Sequence, residues 1–166
     1  MINTVTIMLV MLMAGVAPSL PTPQGKPKVL IFLATGCPCV FSHRETFGSM
    51  LKKYGSKVDF SIVFIDKNDD KEEMVGMIES LGWDIKYIID EDQKLLNQYH
   101  PKVSTDCVLL TPAGKVVYKG AVDDSPLNYG QIKEFYLKNA IEDFFEGRPI
   151  RVRLGEGIGC IINYKK

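Results

Sequence analysis

From Val29 to Leu33 the chain is apolar at every position, the pattern of a strand covered on both faces. Lys57 to Ile65 repeats the theme with Val58, Phe60, Ile62, Val63, Phe64 and Ile65, and predicts a second strand. Between them Val40, Phe47, Met50, Leu51 and Tyr54 recur at helical spacings; Pro38 suits the first helical position and Gly55 the stop. Asp69 and Asp70 open a second helix that runs to about Leu81, with Met74, Met77, Ile78 and Leu81 on its apolar face. A short strand at Lys86 to Ile89 and a short helix at Glu91 to Tyr99 follow. Cys107 to Leu110 and Lys115 to Lys119 read as strands joined by the turn Thr111-Pro112-Ala113-Gly114. A last helix spans Gln131 to Phe145, with Ile132, Phe135, Tyr136, Ala140, Ile141 and Phe144 inward and Gly147 at its end. The order β-α-β-α-β-α-β-β-α predicts parallel strands with crossover helices and an antiparallel hairpin at the end. After Pro149 no periodicity is visible.

The first 20 residues follow a different pattern. Met1 to Leu20 has no Asp, Glu, Lys or Arg, and Ile7 to Met13 is an apolar run that ends in Ala14 and Gly15. This is the core of a signal peptide, although only the α-amino group supplies the usual basic start. A retained anchor is the competing reading, but spanning a bilayer takes about 20 apolar residues and Pro18 and Pro21 close the run early. The organisation expected is a signal or N-terminal anchor at 1–19, a linker at 20–27, one domain at 28–150 and a tail at 151–166. The expected location is periplasmic or otherwise extracytoplasmic, and any membrane contact would come through an uncleaved N-terminal segment. With 166 residues, 46% of them hydrophobic, the chain can bury one core. Lys plus Arg equals Asp plus Glu at 20 each, so nothing points to nucleic acid.

All four cysteines, Cys37, Cys39, Cys107 and Cys160, lie in the part that would be exported. Cys37 follows a buried strand, precedes a proline, falls at the expected N-cap of the first helix and has Cys39 two residues on. A thiolate at a helix N-terminus meets unpaired N–H groups, which lowers its pKa and makes it a nucleophile near neutral pH. Cys39 could resolve a mixed disulfide made by Cys37, or stand by while a distant cysteine does so. Cys107, inside a strand expected to be central, reads as a small buried hydrophobe. His43 and Arg44 read as a solvated helix face that could at most lend positive potential to Cys39. Asp123, Asp124, Ser125 and Pro126 read as a loop and helix entry. Asp66, Asn68, Asp69 and Asp70 lack the glycine and terminal glutamate that a calcium loop requires.

Gly25-Lys26-Pro27-Lys28-Val29-Leu30-Ile31-Phe32-Leu33-Ala34-Thr35-Gly36-Cys37-Pro38-Cys39 resembles the first strand and active-site turn of thioredoxin-like redoxins. The stretch Val108 to Asp124, with Thr111-Pro112-Ala113-Gly114-Lys115-Val116-Val117-Tyr118, resembles their late hairpin. Tyr136-Leu137, Gly147-Arg148-Pro149-Ile150 and Gly159-Cys160-Ile161-Ile162 are similar to the C-terminal part of exported redoxin-domain proteins of the alkyl hydroperoxide reductase/thiol-specific antioxidant superfamily. The likeness spans roughly Lys26 to Ile162. It implies an α/β, thioredoxin-like fold, a central mixed sheet with helices on both faces. It also implies that Cys160 meets the active-site turn, either as a resolving thiol for Cys37 or as a structural tether; the plain alternative is a tail cysteine without a partner.

Three departures qualify what the resemblance implies. One residue, not two, separates the cysteines. Thr105, after Ser104, stands where the family places a cis-proline, and the cost of a non-proline cis bond, about 2.5 to 4 kcal/mol, makes Ser104-Thr105 trans. Ala34 occupies the position of the threonine that peroxiredoxins carry three residues before the reactive cysteine. The expected activity is therefore thiol-disulfide exchange outside the cytoplasm through Cys37, Cys39 and Cys160, with protein thiols or disulfides or a reductant protein as partners and no cofactor. Thiol peroxidase activity ranks second. A third, non-enzymatic reading is copper handling, since paired thiolates beside a histidine suit Cu(I) and copper chaperones of the Sco type share the fold.

Overall fold

The computed structural model describes residues 25–65, 70–124, 131–162 and 164. The segment expected to be a signal peptide lies outside these residues, as do most of the carboxylates weighed against a calcium loop. The elements are β1 (Lys28–Leu33), α1 (Cys39–Ser42), α2 (Arg44–Tyr54), β2 (Asp59–Phe64), α3 (Lys71–Leu81), β3 (Lys86–Ile89), α4 (Lys94–Tyr99), β4 (Cys107–Leu110), β5 (Val116–Gly120), α5 (Tyr136–Phe145) and β6 (Leu154–Gly155).

The strands form one mixed sheet in the order β3-β2-β1-β4-β5-β6. β1 runs parallel to β2 from Lys28 opposite Asp59 to Leu33 opposite Phe64, and antiparallel to β4, with Ile31 opposite Cys107. Buried in the middle, β1 divides its side chains between two cores, as a strand of period two must. Val29, Ile31 and Leu33 join Val40, Phe47, Met50, Met74, Leu81, Leu137 and Ile141 on the face covered by α1, α2, α3 and α5. Leu30 and Phe32 join Val63, Val108, Leu96 of α4 and Ile162 of the tail on the other. Helices thus cover both faces. α3 begins where Asp70 accepts a hydrogen bond from the Glu72 N–H at 3.1 Å and ends at Gly82, whose φ of 68° suits glycine.

Several boundaries differ from the sequence reading. The single first helix is two, parted at His43 (φ −91°, ψ 5°), although the ladder continues: the His43 N–H is shared between the carbonyls of Cys39 and Val40, and Phe47 N–H donates to His43 O. The N-cap is Pro38 and not Cys37, which stands one residue further out. α5 starts at Tyr136 rather than Gln131, because the Asp124 carboxylate accepts the N–H groups of Lys133 and Glu134 and holds that stretch as a loop. The segment after Pro149, patternless in sequence, supplies β6, which pairs in parallel with β5 (Lys119 with Leu154, Gly120 with Gly155).

Candidate active site

β1 ends at Leu33 and the chain turns through Ala34-Thr35-Gly36, with Gly36 at φ 71°, the left-handed conformation that glycine adopts freely. The Cys37 N–H donates back to Ala34 O at 3.4 Å, and Cys37 O accepts from Val40 N–H at 3.3 Å. This turn delivers both thiols to the C-terminal end of the central strand, where ligands and chemistry collect in open α/β sheets. Cys37 and Cys39 are joined as a disulfide with Cα atoms 5.5 Å apart. Cys37 is 3% exposed and Cys39 8%. The sulfur read from sequence as the nucleophile, Cys37, is therefore covered.

What covers it is the end of the chain. Cys160 Sγ lies 2.8 Å from Cys37 Sγ and is itself exposed. The three sulfurs of Cys37, Cys39 and Cys160 all fall within 4.8 Å of one another. The tail is held there by backbone pairing to the loop before β4. Ser104 N–H donates to Cys160 O at 2.8 Å, Ile162 N–H donates to Lys102 O at 3.0 Å, and Val103 and Ile161 form an antiparallel bridge. Further back, Asp143 of α5 anchors the start of the tail. Its carboxylate accepts from Arg148 Nε at 3.2 Å and Nη2 at 2.9 Å, and from the backbone N–H and Nε of Arg151 at 3.2 and 3.0 Å. Arg151, and after it Arg148, holds that carboxyl below the usual aspartate pKa.

Ser104, fully buried, links the turn and the tail. Its Oγ accepts the Ala34 N–H at 3.1 Å, its N–H holds Cys160, and its carbonyl oxygen is 3.9 Å from Cys39 Sγ. A Cβ on Gly159 would meet that carbonyl at 2.7 Å and Cys39 Sγ at 3.4 Å, so the tail's close approach requires a glycine. No cis peptide bond occurs among the described residues, and Thr105 has φ 83°. For a β-branched residue this is a strained conformation, and it falls next to Ser104, whose carbonyl faces Cys39 Sγ.

Beneath the site lie polar groups that the sequence reading placed elsewhere. His43 does not face solvent; it is 3% exposed, its Nδ1 3.2 Å from Asp123 Oδ2. Thr46 Oγ1 donates to the same oxygen at 3.3 Å. The aromatic ring is drawn inward by this carboxylate from the loop after β5, a partner 80 positions away that no local pattern reveals. Arg44 does stay exposed, its Nε donating to Leu81 O at 3.1 Å. Cys107 is fully buried in β4 and its S–H donates to Thr105 O at 3.3 Å. Burial, reinforced by Asp106 and Asp123, pushes its thiol pKa well up, which keeps it protonated and inert. Asp106, 3% exposed, accepts the N–H groups of Lys102 and Val103 and so shapes the loop that receives the tail; desolvation raises its pKa.

No family model and no curated protein matches the chain. Among solved structures it is similar to an uncharacterized conserved protein from Geobacillus kaustophilus, at 26% identity and a TM-score of 0.73 over 84% of this chain and 78% of that one. A hypothetical protein from Sinorhizobium meliloti gives 20% identity and a TM-score of 0.71 over 84% and 80%. A thioredoxin-like protein from Aeropyrum pernix gives 16% and 0.58 over 72% and 78%. The fold is α/β and thioredoxin-like, with a cysteine pair at the end of its central strand. Among the described residues no helix is long and apolar enough to cross a membrane.

Proposed function

We propose that this chain is a thiol-disulfide oxidoreductase that acts outside the cytoplasm, with Cys37, Cys39 and Cys160 as its working sulfurs. The observation that carries the reading is the contact of an exposed thiol, Cys160, with a buried disulfide, Cys37–Cys39. A thiolate in that place can attack Cys37 Sγ. The Cys37–Cys160 bond forms, the Cys37–Cys39 bond breaks, and Cys39 leaves as a thiolate that takes up a proton. The step consumes no electrons and brings the disulfide to the surface. A partner thiolate then attacks Cys160 Sγ and releases Cys37; a second partner thiol closes the partner's disulfide and frees Cys160. Two electrons and two protons have passed from partner to protein, and the same steps reversed reduce a partner disulfide. Cys160 is in this scheme the port through which a covered pair communicates with other proteins.

Peroxide reduction at Cys37 is less well supported by this arrangement, since the sulfur is covered and Ala34 brings no hydroxyl to it. Export rests on the apolar run Ile7 to Met13, and N-terminal sequencing of the protein recovered outside the cytoplasm would place the cleavage after Ala17 or Ser19.

The exchange reading is tested by equilibrating the protein in a glutathione buffer, trapping with acid and mapping the disulfides by mass spectrometry. Alongside this, turnover of a disulfide-bearing peptide is followed. The expected result is two species, Cys37–Cys39 and Cys37–Cys160, with turnover abolished in Cys37→Ser and slowed in Cys160→Ser. Absence of the Cys37–Cys160 species together with undiminished turnover in Cys160→Ser would overturn the role of the tail; full turnover in Cys37→Ser would overturn the function.

A further inference from the structure

We infer that the fully reduced protein holds one Cu(I) ion on the sulfurs of Cys37, Cys39 and Cys160, a site distinct in kind from the exchange activity and dependent on the tail. The argument starts from geometry. Three sulfurs from two distant parts of the chain converge within 4.8 Å, the Cys37–Cys39 pair on the turn after β1 and Cys160 on the tail. Three sulfurs arranged around a metal at bonds of about 2.3 Å sit roughly 4 Å apart, so opening the disulfide and small side-chain rotations reach that spacing without moving the backbone. The tail is already held in register by its pairing to Lys102, Val103 and Ser104.

The donor set selects the metal. Thiolates alone are soft ligands, which favour Cu(I) over Mg, Ca or Mn. A structural zinc site takes four protein ligands, and among the described residues no fourth histidine, cysteine or carboxylate joins the three sulfurs. Zinc on three thiolates would have to complete its shell with water, which the covered position of Cys37 and Cys39 disfavours, whereas Cu(I) needs no fourth ligand. The histidine nearest in sequence, His43, is committed to Asp123 beneath the helix, so the site is not the two-cysteine, one-histidine arrangement that spacing alone calls for; Cys160 supplies the third ligand. The covered position of Cys37 and Cys39 shields a bound Cu(I) from water and oxygen, and the exposed Cys160 offers a route by which another thiolate protein could take over the ion one ligand at a time.

Loading begins with two-electron reduction of the Cys37–Cys39 disulfide to two thiols. Cu(I) then displaces the thiol protons without changing its own oxidation state. The test uses the whole protein, reduced with a phosphine under nitrogen and titrated with Cu(I) against a chromophoric Cu(I) chelator, with X-ray absorption to count sulfur neighbours. One Cu(I) per chain with three sulfurs is expected. Cys39→Ser and Cys160→Ser should each weaken binding by more than the roughly tenfold to hundredfold that loss of an outer-shell partner costs, and Cys107→Ala should leave it unchanged. The inference is overturned if the chelator keeps the copper, if Cys160→Ser binds as tightly as the unaltered chain, if absorption finds two sulfurs, or if Zn(II) displaces the bound Cu(I). Because these readouts are of binding, they are independent of turnover, and a protein that exchanges disulfides yet leaves copper with the chelator would refute the site and not the activity.

Discussion

The two halves of the candidate site are built by opposite means. The turn that carries Cys37 and Cys39 hangs from β1, whose Val29, Ile31, Phe32 and Leu33 are wholly buried between two cores and paired on both sides. The tail that carries Cys160 contributes one fully engaged apolar side chain, Ile162, while Leu154, Ile158 and Ile161 stay 60%, 68% and 79% exposed. It is held mainly by backbone hydrogen bonds, with the Asp143 carboxylate at its start and the Tyr164 hydroxyl, which donates to Pro101 O, near its end. A site assembled this way can keep one partner rigid and let the other come and go, because local opening draws on regions with few buried apolar contacts.

The largest test of this contrast is to damage the rigid half. Leu109 is fully buried in β4 and pairs with Val29. Leu109→Ala should lower global stability by about 2 to 5 kcal/mol, read from urea unfolding, and the turn and tail should be lost in the same cooperative transition. A variant that kept its global stability would show that the buried strands do not hold the rigid half as the contrast requires.

Next in size is a substitution that strikes the tail alone. A Cβ on Gly155 would lie 2.6 Å from Tyr118 Oη and 3.2 Å from Ala121 N, and Tyr118 is fully buried, its hydroxyl donating to Ala121 O. Neither neighbour can yield, so Gly155→Ala should force β6 off β5 at a cost of about 1 to 3 kcal/mol if the tail stays, and less if it lifts. The checking measurement is the fraction of Cys37–Cys160 disulfide after redox equilibration, which should fall while the near-ultraviolet spectrum of the core stays native-like.

Asp143→Asn is milder. The carboxylate is buried but both arginines are about half in water, so the loss is on the order of 1 to 2 kcal/mol. The tail's first turn loosens while β6 remains, so limited tryptic digestion should cut after Arg151, which precedes Val152, earlier than in the unaltered chain. An unchanged cleavage rate would mean that β6 and the Val103–Ile161 bridge suffice.

The same division explains what could be read from the sequence. β1, β2 and β4 announce themselves through unbroken apolar runs, α3 through its spacing and its Asp70 cap, and Cys37-Pro38-Cys39 through its position after a strand. The pairing of the tail with residues 102–104 uses N–H and C=O groups that every residue has, so it leaves no mark in a pattern of side chains. Ser104 escaped for the same reason: its importance lies in one hydroxyl and two backbone groups, and only the alignment of its neighbour Thr105 with a proline position drew attention to that loop. His43 was misplaced because a polar residue goes inside only when a partner is waiting, and Asp123 is brought there by the hairpin. The break of the first helix at that residue was equally beyond local reading. Glycines at 155, 157 and 159 were the available signal for the tail, since alternate glycines mark close backbone approach.

The smallest effect separates the two halves by pH. Adjacent residues of α5 face different regions: Glu142 ties α5 to α2 through Tyr54 Oη at 2.7 Å and Lys53 Nζ at 2.9 Å, while Asp143 ties it to the tail. The Tyr54 hydroxyl first, then Lys53, draws the Glu142 pKa down from 4.5 to about 2. A depressed carboxylate stabilises the fold fully above its unfolded pKa and loses that contribution as pH falls toward its folded one. Glu142 therefore supports the core above about pH 4.5 and releases it progressively toward pH 2. Asp143, also depressed, supports the tail with the same sign over the acid range. Since Lys53 is largely solvated, the Glu142 contribution should be about 1 kcal/mol or less and shrink with salt. Glu142→Gln should flatten the acid limb of global stability and leave the acid release of the Cys37–Cys160 contact in place; Asp143→Asn should do the reverse. Identical acid profiles for the two variants would mean that core and tail respond as one body, and the contrast drawn between them would fail.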